Sequence, residues 1–226
     1  MKILVTAATE AEIALSIKHI ASIGKEVKPL VFEHNGHEIA FVVTGVGMVA
    51  TAYNLTRILT TGQYDFILQA GIAGAFNRNI PLGEVLAVSS DRFADLGAED
   101  GENFIDVFDL GLDNPNQAPY TNKLLLNPYM GELDIQLKAV EAITVNTATG
   151  SYSSVERLQR LYPGVLESME GAAFHYVCLC ENVKFLQIRA VSNYIERRNR
   201  DAWQIELAVN NLNEFLLKYI IEKTAQ

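Results

Sequence analysis

Short β-branched runs alternate with amphipathic stretches along most of this chain, and that alternation leaves few architectures open. Lys2–Ala7 reads as a strand, and Ala11–Ile23 as a helix with Ile13, Ile17 and Ile20 on one face. Val27–Phe32 and His37–Thr44 read as strands around Asn35-Gly36, the dipeptide of a type I′ hairpin turn. Val49–Leu59 reads as a helix, and Phe66–Gln69, Glu84–Ser90, Ala142–Asn146 and Lys184–Val191 complete the strands. Gly171–Cys180 and Trp203–Ile221 are helical, the second with Leu212, Phe215, Leu216, Tyr219 and Ile220 as its apolar face. Strands alternating with helices predict an α/β sandwich around a central mixed sheet. Ligands on such sheets bind at the carboxyl ends of strands.

The 226 residues suit one domain, 1–226, whose core needs no disulfide or metal staple. With 49 % hydrophobic and 20 % charged residues the chain has the apolar surface that disordered segments lack. No apolar run approaches the ~20 residues that a bilayer demands. Glu10 and Glu12 come too early for a secretory leader, so a cytoplasmic protein is expected. A net charge of −9, with no basic stripe, argues against nucleic acid and against a membrane surface as partners. Cys178 and Cys180 point about 200° apart on their helix, so both read as small buried hydrophobes rather than metal ligands. Between Arg92 and Lys138 lies an Asp/Asn/Gly/Pro-rich stretch, long for a loop and expected to be functional or to contact another subunit.

One motif misleads. Gly45-Val46-Gly47-Met48-Val49-Ala50 follows a strand, opens a helix and matches a dinucleotide fingerprint, with Asp65 downstream as a ribose-binding acid. Yet the fingerprint belongs after the first strand of its unit, and Asp65 stands at the wrong end of Phe66–Gln69. The glycines fit a tight strand-to-helix turn better, one that brings helix N–H groups near a ligand.

Four segments at strand ends carry residues that a core would not choose. In Thr9-Glu10-Ala11-Glu12, Thr9 is the expected N-cap and Glu10 complements the helix dipole, leaving Glu12 free for another role. In Gln69-Ala70-Gly71-Ile72-Ala73-Gly74-Ala75, small residues past a buried strand let a flat ligand approach the backbone, although a plain tight turn explains them equally well. Glu167-Ser168-Met169-Glu170-Gly171-Ala172-Ala173 sets a carboxylate before a small-residue helix, suited to a ligand's hydroxyl pair, with Met169 against an apolar group. In Ile188-Arg189-Ala190-Val191-Ser192-Asn193, Arg189 needs a paired charge, for which a Glu at another strand end is the natural partner. Ser192 and Asn193 stand where a base-recognising side chain would.

Taken in order, Glu12, Gly45-Val46-Gly47, Gly71-Ile72-Ala73-Gly74, Ser168-Met169-Glu170-Gly171-Ala172-Ala173 and Arg189-Ala190-Val191-Ser192-Asn193 resemble the purine nucleoside phosphorylase/nucleosidase superfamily. Within it, the chain looks like the hydrolase branch that includes methylthioadenosine/S-adenosylhomocysteine nucleosidases. The stretches Asp91–Gly101 and Ser192–Asn199 are most similar to the futalosine hydrolases of the alternative menaquinone route. The resemblance implies a three-layer sandwich with a central mixed β-sheet flanked by helices, hydrolysis of a purine N-glycosidic bond, and a cytoplasmic homodimer or higher homo-oligomer acting on a small nucleoside with neither cofactor nor metal. It implies that Glu12 activates water and Glu170 binds the ribose hydroxyls. It also implies that Met169 lies along the sugar, Ala73-Gly74 lie against the purine, and Arg189 and Ser192 support the pocket.

Three departures sharpen this expectation. Related phosphorylases carry an Arg where this chain has Gln69-Ala70; without that cation, water is the expected nucleophile. Adenine-specific nucleosidases have Asp at Asn193; an amide can serve N7 and a 6-keto oxygen together, which predicts a hypoxanthine leaving group. Ile72 replaces a Ser of related nucleosidases. The carboxylated tail of futalosine needs a cation, with Arg92, Arg197, Arg198 and Arg200 as candidates, and no role is assigned to His19, His34, His37 or His175. The alternatives are a methylthioadenosine-type nucleosidase and a non-catalytic purine nucleoside-binding protein.

Overall fold

The computed structural model describes residues 1–163 and 166–225. In chain order the elements are β1 (Lys2–Ala7), α1 (Glu10–Ile23), β2 (Lys25–Lys28), β3 (Val31–His34), β4 (His37–Val43), α2 (Met48–Thr61), β5 (Phe66–Ala75), β6 (Val85–Asp91), β7 (Gly97–Asp100), β8 (Asn103–Asp106), β9 (Leu125–Leu126), β10 (Ala139–Thr144), α3 (Tyr152–Leu161), β11 (Leu166–Ser168), α4 (Gly171–Cys180), β12 (Phe185–Tyr194) and, after a 3₁₀ turn at Arg200–Ala202, α5 (Ile205–Thr224).

The central sheet has the order β11-β10-β6-β12-β5-β1-β4-β3-β2, with β9 added on β6. It is mixed: β5 runs parallel to β1 and β12, whereas β12 runs antiparallel to β6. Because β11 also pairs with β5, the strands β11, β10, β6, β12 and β5 close on themselves, and the rest extends as an open sheet. Side chains alternate across a strand. Ile3, Val5 and Ala7 of β1 therefore pack with Ile13 and Ile20 of α1 and with Leu212, Leu216 and Ile220 of α5. Leu4 faces the other way, toward Leu55 of α2 and Phe174 and Val177 of α4. These three layers are the expected sandwich. Among the described residues no helix is long and apolar enough to cross a membrane.

Several boundaries move for physical reasons. Val27–Phe32 is two strands, because the chain turns between β2 and β3 with Leu30 at φ 58°. Asn35 (φ 50°) and Gly36 (φ 76°) form the expected tight hairpin, pairing His34 with His37. The small-residue run from Gly71 is no turn: β5 continues through it to Ala75, paired with β12 throughout and with β11 at Gly74 and Ala75. Likewise β12 carries Ser192 and Asn193 inside the strand. The Arg92–Lys138 stretch holds the β7–β8 hairpin and β9, and its Phe93, Phe108, Tyr120 and Leu125 cluster with Ala172 and Leu179 of α4. The sequence reading missed α3 and β11, although Ser151 caps α3 by accepting the Ser154 amide at 3.2 Å. Cys178 is buried, but Cys180 is exposed, since the angular spacing that separates them turns one to the core and the other to solvent.

Candidate active site

Parallel neighbours β1, β5 and β12 end at the same edge of the sheet, and the polar residues converge there. Thr9 N-caps α1 in an extended conformation (φ −133°, ψ 154°). Glu12, at the third helical position, returns to it: its Oε2 accepts both the Thr9 amide and the Thr9 hydroxyl at 2.9 Å. That is a capping box, a feature worth about 1 kcal/mol. Glu12, rather than Glu10, thus closes the cap, and the expectation that it stands free of the helix is corrected. Its other oxygen is spent differently. Oε1 accepts the Ile72 amide on β5 at 3.1 Å, fixing the carboxylate at the strand edge.

Arg189 lies beneath this edge, 1 % exposed. Its Nη2 donates to Gln69 Oε1 at 3.0 Å, and its Nη1 donates to the Ile72 carbonyl at 3.3 Å and faces Glu170 Oε2 at 3.4 Å. The predicted Glu partner is therefore Glu170. The opposite oxygen of Glu170 accepts the Gly47 amide at 3.0 Å. Gly45 and Gly47 adopt φ of 88° and 89°, which a side chain would strain, and this turn aims the N-terminus of α2 at the carboxylate. The decoy motif thus anchors a glutamate. Gly71 is required for a different reason: a Cβ there would collide with the Arg189 guanidinium.

The start of α4, directly after Glu170, is tied down from below. Thr144 Oγ1 donates to Asp91 at 2.9 Å and accepts the Ala172 amide at 2.7 Å, while Gln187 Nε2 donates to Asp91 at 3.3 Å. Burial pushes the Asp91 carboxyl up to about 6, against the opposing pull of these donors.

A cleft of about 310 Å³ opens above these groups. Glu12, Glu170, Asn193, Ala73, Gly74, Met169 and Ser192 all line it. Arg189 does not; it is buried below and braces Glu170 and Ile72. Ser192 Oγ has one proton to share between Asn193 Oδ1 at 2.8 Å and the Ala73 carbonyl at 3.2 Å, and the shorter contact orients the amide. Of the four candidate arginines only Arg198 reaches the cleft, stacked 5.1 Å from the Trp203 ring centre. Arg92 is drawn off by Glu141 and Tyr162, Arg197 by Tyr152 and Arg200 by the Trp203 ring. No described residue of the Arg92–Lys138 stretch lines the cleft.

Sequence reasoning missed Val46, Ala148, Thr149, Glu167, Trp203, Ile205 and Val209, which complete the walls. Glu167 stands in β11 between Leu166 and Ser168. It is 7 % exposed, and burial raises its carboxyl above the ordinary range. Oε1 accepts the Thr149 amide at 2.9 Å, whereas Oε2 has no hydrogen-bond partner among the described residues. His175, buried against Phe185 and bonded through Nδ1 to the Leu125 carbonyl at 2.8 Å, is pushed down to about 4 by burial and stays neutral away from the cleft.

The comparisons agree with this architecture. The phosphorylase superfamily model matches residues 2–221. A futalosine hydrolase of Acidothermus cellulolyticus is 32 % identical over 182 residues, 76 % of this chain and 70 % of that protein. One of Streptomyces coelicolor is 31 % identical over 160 residues, 67 % of this chain; the match spans only 63 % of that protein's length. Among solved structures, the native futalosine hydrolase of Helicobacter pylori superposes with a TM-score of 0.78 at 18 % identity, covering 98 % of each chain. From β1 to the last helix, the chain belongs to the phosphorylase superfamily.

Proposed function

We propose that this protein hydrolyses the N-glycosidic bond of futalosine, releasing hypoxanthine and leaving dehypoxanthine futalosine for menaquinone biosynthesis. The observation that carries the reading is the meeting of Glu12 and Glu170, remote in sequence, on one cleft that also holds Asn193. Glycosidic cleavage builds positive charge on the sugar, so the site must hold ribose, supply a nucleophile and assist the departing base. Each carboxylate oxygen has two acceptor positions. Glu12 Oε1, holding only the Ile72 amide, keeps one for a water whose proton it takes. Glu170 takes the ribose hydroxyls, contacts that strengthen as the sugar becomes cationic. Asn193 assists the base by hydrogen bonding; an amide delivers no proton.

Water rather than phosphate is the nucleophile in this reading. Phosphate binding favours clustered, bidentate guanidinium groups. Among the described residues that line the cleft the one cation is Arg198, and Arg189 is occupied by Gln69, Ile72 and Glu170. Arg198, backed by Trp203, is the cation available to the substrate's carboxylate. The relatives named futalosine hydrolases support the choice of substrate. The reading extends to a cytoplasmic homo-oligomer.

The test is incubation with futalosine, inosine and methylthioadenosine in phosphate-free buffer, following the free base. Hypoxanthine release from futalosine is expected. Preferred adenine release from methylthioadenosine would reassign the substrate, and no release from any of the three would indicate a binding protein.

A further inference from the structure

Gly74 is the middle of a row that crosses three strands. Its register partner on β11 is Glu167, and its partner on β12 is Asn193. Residues opposite one another on neighbouring strands project to the same face, and strands lie about 4.8 Å apart. A carboxylate and a carboxamide therefore flank a position without a side chain, their Cα atoms about 10 Å apart. A Cβ on Gly74 would lie 2.8 Å from Ile195 Cγ1 and 3.2 Å from Asn193 Nδ2, so both side chains close on the glycine. All three residues of the row line the cleft.

Glu167 is the member of this row without a completed role. The Thr149 amide holds Oε1, and among the described residues the buried Oε2 has no donor. A buried carboxylate oxygen that lacks a donor is costly, and neither water activation nor ribose binding uses this one. Purines differ in what they offer here. Along one edge, a 6-oxopurine presents N7 and O6 as acceptors and then N1–H as a donor. A 6-aminopurine presents an acceptor at N1, which a carboxylate repels.

We propose that Glu167 is a specificity-determining residue, its Oε2 accepting the N1–H of a 6-oxopurine while Asn193 on the other side of Gly74 serves N7 and O6. This inference rests on the nucleosidase reading and names the base that the pocket selects. The discrimination has an attractive half, the N1–H bond, and a repulsive half, the lone pair of a 6-aminopurine against the carboxylate.

The experiment compares kcat/KM for inosine and adenosine, which share one sugar, in the wild type and in Glu167→Gln. The glutamine carbonyl keeps the Thr149 amide, and its NH₂ turns into the cleft as a donor. Inosine turnover is expected to fall by about 10- to 100-fold while adenosine turnover rises, inverting the preference. An inosine/adenosine ratio that stays at the wild-type value would overturn the inference and leave the glycosidase intact. A wild type that releases no base from futalosine, inosine or adenosine would remove the nucleosidase reading and the inference together. A second measurement needs no variant. Calorimetric titration of the wild type with hypoxanthine and with 1-methylhypoxanthine should show tighter binding of the first, and equal affinities would refute the N1–H contact.

Discussion

The carboxylate of Glu12 closes the first turn of α1 and, through its other oxygen, holds the amide of Ile72 at 3.1 Å. The Ile72 carbonyl in turn accepts Arg189, which faces Glu170 at 3.4 Å. One residue of β5 thus links the two acids of the cleft, so the spacing between them is set by a strand rather than by a loop. Sites built on regular elements hold their geometry more tightly than sites on loops.

Glu12→Gln tests the chemistry at a small cost in folding. The one carbonyl oxygen of glutamine keeps the capping box, but its NH₂ then meets the Ile72 amide, so stability should fall by about 1–3 kcal/mol. Base release should fall by about 10²- to 10⁴-fold, the contribution of a general base. Unimpaired turnover in this variant would take Glu12 out of the mechanism.

Arg189→Met should be among the most destabilising changes in the site. It leaves Glu170 and Gln69 buried without their cation, at a cost of about 3–5 kcal/mol. Adding Glu170→Gln should restore part of that loss. A double-mutant cycle by urea denaturation reads the coupling, and strictly additive effects would show that the pair is not energetically linked.

Asn193→Asp should move preference toward 6-aminopurines, because a protonated carboxyl donates to N7 while its second oxygen accepts from a 6-amino group. Competition between inosine and adenosine measures it, and an unaltered preference would show that Asn193 does not read the base.

Two buried groups oppose each other in acid. His175 is held at about 4 instead of 6.5, so between those values the unfolded chain binds more protons and stability falls as pH falls. Asp91 sits at about 6 instead of 3.8, so the folded chain is protonated first and acidification across that window favours it. Each effect is on the order of 3 kcal/mol. His175→Gln, which cannot ionise, removes only the first. Its stability relative to the wild type, from urea unfolding at about pH 7 and about pH 5, should improve at the lower pH. An equal difference at the two pH values would mean that His175 is not the buried neutral base.

The sheet, the flanking helices and the order of the site motifs were legible because buried strands and amphipathic helices write their periods into the sequence. Glu12, Glu170 and Asn193 were legible as polar residues placed where a core would not tolerate them. The extension of β5 through Gly71-Ile72-Ala73-Gly74 was not, since small residues there mimic a turn and only pairing with β11 and β12 makes them a strand. The capping duty of Glu12 was hidden for a related reason: Thr9 and Glu10 already account for the helix start in the sequence, and only the fold returns the Glu12 carboxylate to Thr9. Glu167 stood inside a site motif without a role, because Gly74 and Asn193 lie beside it in the sheet and not in the chain. Which of four arginines reaches the cleft was likewise decided by tertiary partners, the rings and acids that occupy the other three.

The most direct test of the whole account is turnover of futalosine in ¹⁸O-labelled water with unlabelled phosphate present. Attack by water activated at Glu12 places the heavy oxygen on the anomeric carbon of the sugar product, with hypoxanthine released in equal amount and no sugar phosphate formed. A sugar 1-phosphate, or release of base only when phosphate is supplied, would contradict it.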